Sequence, residues 1–120
     1  MKLKTSELTG PALDWAVAKC KGVSWASWRK DGYSTDWHQG GPIIEWECIQ
    51  LNLNHLRPHV RPSGETWIAT RIEGSSVSEE RGPTQLVAAM RCYVASQLGD
   101  EVDVPDDIAW DSMIYEKGEE

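Results

Sequence analysis

Apolar residues recur at three- and four-residue steps in three stretches, and each stretch follows a Gly-Pro pair: Gly10-Pro11, Gly41-Pro42 and Gly82-Pro83. Proline at a first helical position gives up only an N–H that would have no intrahelical partner, so each pair predicts a helix start. The first helix runs from Pro11 to Lys21, with Leu13, Ala16, Val17 and Cys20 on one stripe and Gly22 as a left-handed stop. The second runs from Pro42 to about Gln50, with Ile44, Cys48 and Leu51 on one face, Ile43 and Trp46 flanking it, and no glycine stop. The third, Pro83 to Leu98, aligns Leu86, Ala89, Met90, Tyr93, Val94 and Gln97 and ends at Gly99.

Glu65 to Glu73 alternates instead, with Trp67, Ala69 and Arg71 on one face and Ile68, Thr70 and Ile72 on the other, which predicts a strand. Val23 to Trp28 is dense enough in β-branched and aromatic residues for a partner strand. Leu51 to Leu56 fits either a helical extension or a strand. Arg29 to Gly41, with its Asp31-Gly32 turn, and Gly74 to Gly82, rich in Ser, Glu and Gly, are expected loops. The class is α+β, with about three helices on a short, mostly antiparallel sheet.

Length and charge narrow the function. With 120 residues the chain forms one domain, and no apolar run approaches the roughly 20 residues of a membrane span. The net charge of −7 is local: residues 100–120 hold nine acids and one Lys, and residues 1–99 hold ten acids and eleven bases. A nearly neutral body spanning 1–105 with an acidic extension at 106–120 has no basic face for duplex nucleic acid. The extension is expected to be solvated, or to bind a partner. Met1-Lys2-Leu3-Lys4 lacks a following apolar region, so a reducing cytoplasm and free thiols at Cys20, Cys48 and Cys92 are expected. No pair of these has Cys-x-x-Cys spacing, so no metal is expected. No cofactor fingerprint occurs either.

Seven Trp and no Phe is a skewed aromatic set. Indole carries an N–H that needs a partner, so Trp concentrates where an apolar side meets a polar one. Trp15 and Trp67, inside regular elements, are expected in packing. Trp25, Trp28 and Trp37 lie at or beside loops and are candidates for stacking on a planar ligand. Tyr33, Ser34, Thr35, Asp36 and Trp37, followed by Gly40 and Gly41, combine aromatic faces, hydroxyls, a carboxylate and close-approach glycines ahead of the second helix. The amides of Gly40 and Gly41 could receive a phosphate there. The alternative is that Ser34 to Asp36 only forms a turn or cap. His55, Arg57, His59 and Arg61 alternate with apolar residues and prolines, a cationic strip suited to an anion or simply a solvated loop. Arg57 or Arg91 could supply charge to an anionic ligand. No nucleophile elbow, zinc-protease helix or phosphate loop occurs, and Asp36 with His38, or Glu45 with Glu47, are weak acid/base pairs.

Three motifs, in order, resemble the NinX-type proteins of tailed bacteriophages. They are Lys4-Thr5-Ser6-Glu7-Leu8-Thr9-Gly10 running into Leu13 to Cys20, then Tyr33 to Trp37 with Gly40 to Glu45, and Pro83 to Ser96 with Leu98 to Val102 and Val104-Pro105. The resemblance covers roughly residues 1–105 and implies an α-β-α sandwich and a host bacterial cytoplasm. It leaves the chemistry open, and Asn52 to Pro62 and the end beyond Asp107 have no counterpart in the pattern.

Two functions follow as expectations. One is a non-enzymatic module that captures a small anionic planar ligand such as a nucleotide, sequestering a host immune signal, with the pocket at a subunit interface of a homo-oligomer. The other is a protein-interaction module that inhibits or recruits a host or phage protein, such as one acting in DNA metabolism, using exposed Trp and the acidic extension.

Overall fold

The stripe on residues 85–94 widens in three dimensions into a helix buried on every side. Val87, Ala88 and Cys92 fill the gaps between the striped positions, so Leu86 through Val94 are all buried. A helix buried all round, with Arg91 its one charged buried member, belongs in the middle of a fold. A computed structural model of the chain describes residues 1–22, 32–53 and 67–118, residues 113–118 by backbone alone. In it the elements run β1 (Lys2–Lys4), a 3-10 turn (Thr5–Glu7), α1 (Gly10–Lys21), α2 (Trp37–Trp46), β2 (Gln50–Leu53), β3 (Trp67–Glu73), β4 (Ser76–Gly82), α3 (Gln85–Leu98), β5 (Glu101–Asp103) and α4 (Asp106–Gly118). The α+β class is as expected, with four described helices instead of three.

Strands β2, β3 and β4 form an antiparallel sheet in that order, and β1 pairs with β5 in a second, two-stranded sheet. Helix α3 lies on β3 and β4 and also packs against α1 and α2, while α4 packs on α1. Among the described residues α3 is thus the main cover of one face of the three-stranded sheet. Ile72 and Val77, paired across the strands, stand exposed on the other face.

Three local expectations change. The stretch expected as a loop at 74–82 is a hairpin strand. Gly74 at φ +60 with Ser75 makes the two-residue connection, and Glu73 pairs with Ser76. Its polar composition suits a strand with exposed charges at the sheet edge, which discourage further pairing. Leu51 to Leu53 belong to β2, so the undecided stretch is a strand as far as it is described. Val23 to Trp28 lies outside the described residues.

The second helix begins at Trp37, five residues before Pro42, which is inside it. Pro42 cannot donate to His38 four residues back, but His38 is exposed, so water can serve that carbonyl. The helix stops without glycine. Cys48 takes φ +55, Ile49 N donates to Ile44 O at 3.0 Å and Cys48 N to Glu45 O at 3.3 Å. That bond pair is the Schellman stop, with a cysteine where glycine is usual.

Residues 106–112 are not a solvated extension. Ile108 and Ala109 are fully buried, and Ser112 Oγ accepts from Ala12 N at 2.6 Å while donating to Thr9 O at 3.0 Å. One orphan donor in the first turn of α1 is thus capped by a side chain a hundred residues away.

Candidate ligand-binding cleft

The turn ahead of α2 is built by short-range bonds. Thr35 N and Asp36 N donate to Gly32 O at 3.0 and 2.7 Å, and Asp36 Oδ1 caps the helix by accepting from His38 N at 2.9 Å. Gln39 N and Gly40 N both donate to Asp36 O, at 3.0 and 2.9 Å. The turn is anchored to α1 by one carboxylate oxygen. Asp14 Oδ1 accepts from Ser34 N at 2.9 Å and from Ser34 Oγ at 2.7 Å. Burial pushes the Asp14 carboxyl up, and the two Ser34 bonds pull it back in part.

This geometry sorts the residues singled out in the sequence. Ser34, Thr35 and Trp37 line a cleft of about 680 Å³. Asp36 acts as the cap. Tyr33 is only 2% exposed, packed into the core with Lys21 Nζ 5.5 Å from its ring centroid, so it does not line the cleft. Gly40 and Gly41 lie within the helix, and the Gly40 amide is bonded to Asp36, so they form no open phosphate cradle at a helix start. Gly40 has a packing role: a Cβ there would run into Tyr33 O and come within 2.7 Å of Leu86 Cδ2. Arg91 is buried, donating from Nε to Leu8 O at 2.7 Å and from an η nitrogen to Arg81 O at 2.8 Å, so it ties the chain before α1 to β4. Arg57 and its strip lie outside the described residues.

Three parts of the cleft were not assigned to it from sequence. Trp67, expected as plain packing, is half-buried; it packs against the core and also lines the cleft. Thr9 comes from the segment before α1, and Pro83 to Val87 bring the first turn of α3. Thr84 caps that helix, accepting from Val87 N at 3.1 Å. A visible signal for this last part was Gly82-Pro83-Thr84 directly before a long apolar-periodic run.

The cleft therefore joins two indoles, Trp37 at 52% exposure and Trp67, to Thr9, Ser34, Thr35 and Thr84, of which Ser34 and Thr84 already spend their hydroxyls on Asp14 and Val87 N. Gln85 and Leu86 put the positive end of the α3 dipole at its wall. Such a site can stack a planar ring and favours negative charge. Burial pushes the Cys20 and Cys92 thiols up to about 12, so these two offer little nucleophilic chemistry.

A family model described as Bacteriophage P22, NinX matches residues 24–97, more than half of the chain. The match spans α2, the three-stranded sheet and α3, and so most of the cleft; Thr9, α1 and α4 lie outside it. No curated protein matches the chain. Among the described residues no helix is long and apolar enough to cross a membrane.

Proposed function

We propose a function from one premise: this chain belongs to the bacteriophage P22 NinX family, and so is a phage accessory protein. In our reading it is a binding module that captures a small, planar, anionic ligand of the nucleotide class in the Trp37–Trp67 cleft. The observation that supports it is the meeting of an exposed indole, a half-buried indole, Thr9, Thr35 and a helix N-terminus in one concavity. Trp37 would stack the base, and the first turn of α3 would face the phosphate. Capture without turnover fits a phage protein that lowers the free concentration of a nucleotide-type host immune signal, because sequestration needs affinity and copy number alone.

Calorimetry of the full chain against cyclic and linear nucleotides tests this reading. One nucleotide should bind, and Trp37→Ala should weaken it by roughly 5- to 150-fold, the equivalent of about 1–3 kcal/mol for one stacked base. A panel without a binder, or an unchanged affinity in Trp37→Ala, rejects it. The second reading, inhibition or recruitment of a host or phage protein, is favoured by Trp110, 58% exposed on acidic α4. Trp110→Ala should leave nucleotide affinity untouched and weaken a protein partner.

A further inference from the structure

Helix α3 starts from a fixed base. Gly82, at the end of β4, is buried, and a Cβ there would come within 2.7 Å of Ala88 N, so the strand end and the first helical turn are in close contact. Thr84 accepts from Val87 N with its hydroxyl and from Ala88 N with its carbonyl. The amides of Gln85 and Leu86, just ahead of those two, have no hydrogen-bond partner among the described residues, and both residues line the cleft.

Gln85 brings a second group to the same wall. Its side chain is half-buried, and its carboxamide makes no hydrogen bond among the described residues, unlike the spent hydroxyls of Ser34 and Thr84. A carboxamide offers a donor and an acceptor side by side. An indole holds a planar ring by its face, whereas a carboxamide holds it by its edge.

The place at the helix start decides which edge. In a purine nucleotide of the usual anti conformation the 5′-phosphate lies on the N7 side of the base, so a residue whose backbone N–H meets that phosphate can reach N7 and its neighbour with its side chain. On that edge adenine presents the N7 acceptor beside the N6 amino donor, guanine presents two acceptors, N7 and O6, and a pyrimidine has no N7. Adenine alone matches both halves of a carboxamide there.

We infer that Gln85 is the specificity-determining residue of the cleft and that the ring it selects is adenine, with Gln85 Nε2 donating to N7 and Oε1 accepting from the N6 amino group. The inference rests on the capture reading and adds the identity of the base to it.

Calorimetry of the full chain against 5′-AMP, 5′-GMP and the 7-deaza analogue of 5′-AMP tests it. The wild type should prefer 5′-AMP to 5′-GMP by roughly 5- to 150-fold, the range of one bidentate base contact. Removing N7 should weaken binding by roughly 2- to 12-fold, the range of one hydrogen bond. Gln85→Met keeps the length of the side chain and its helix propensity, so the far-UV circular dichroism spectrum should be unchanged. In that variant the preference for adenine and the penalty for losing N7 should both vanish. Trp37→Ala should instead weaken 5′-AMP and 5′-GMP alike. A wild type that binds 5′-GMP as tightly as 5′-AMP, an N7 deletion without effect, or a preference that survives Gln85→Met overturns the inference while Trp37-dependent binding upholds capture. A wild type that binds no nucleotide overturns both.

Discussion

Asp14 joins two elements through a single oxygen, and its chemistry can be tested apart from its geometry. Asn offers an acceptor oxygen in the same place, so Asp14→Asn should retain the fold. Asp14→Ala strands the Ser34 N–H and hydroxyl and should cost about 1–3 kcal/mol. The pH dependence has a definite sign. Burial raises the folded-state pKa of Asp14 above its unfolded value, so its stabilising contribution is full below the unfolded pKa and is lost as pH rises through the folded one. Chemical denaturation of both proteins should show Asp14→Asn gaining on the wild type from acid pH to neutrality; a constant difference would contradict this. Asp14 was visible in the sequence only as a polar residue in the first helix, because its partner Ser34 is twenty positions away.

At the scale of elements, α2 shows how two adjacent glycines can have unlike roles. Gly40 lets the helix press on the Tyr33 turn and on Leu86 of α3, whereas a Cβ at Gly41 would meet Trp37 Cε3 at an ordinary 3.6 Å. Gly40→Ala should therefore destabilise by about 1–3 kcal/mol through overpacking. Gly41→Ala should be neutral or stabilise by up to about 1 kcal/mol, because Ala is the better helix former. Thermal denaturation decides, and equal effects at both positions would refute the packing assignment. The Gly-Gly-Pro pattern was legible, but its meaning was not. Asp36 supplies a side-chain cap six residues earlier than Pro42 supplies a favourable φ, and a cap satisfies donors that proline only omits.

The whole molecule is closed by its two ends. Lys2 and Lys4 of β1 lie opposite Asp103 and Glu101 of β5, Thr5 Oγ1 donates to Gly99 O at 2.6 Å, and α4 lies on α1. Ile108→Ala should consequently lower stability by about 2–5 kcal/mol in a single cooperative transition. A fully solvated terminal segment would give no change, so the unfolding curve distinguishes the two. None of this closure was anticipated: three-residue strands carry no measurable period, and the acidity of residues 100–120 masked the buried Ile108, Ala109 and Ser112.

What the sequence determined by itself was the set of local elements whose cause is local. Leu13 to Cys20 and Leu86 to Val94 are helical because of their spacing, Gly22 stops α1 because only a left-handed residue fits there, and Trp67 to Glu73 is extended because its pattern alternates. The tertiary structure alone decided which side of each element counts. It turned Tyr33 inward, drew Trp67 into the cleft beside Trp37, made Arg91 a backbone clamp and folded residues 106–112 onto α1. Each of those outcomes depends on burial against residues distant in the chain, and burial energy follows the area that neighbours cover.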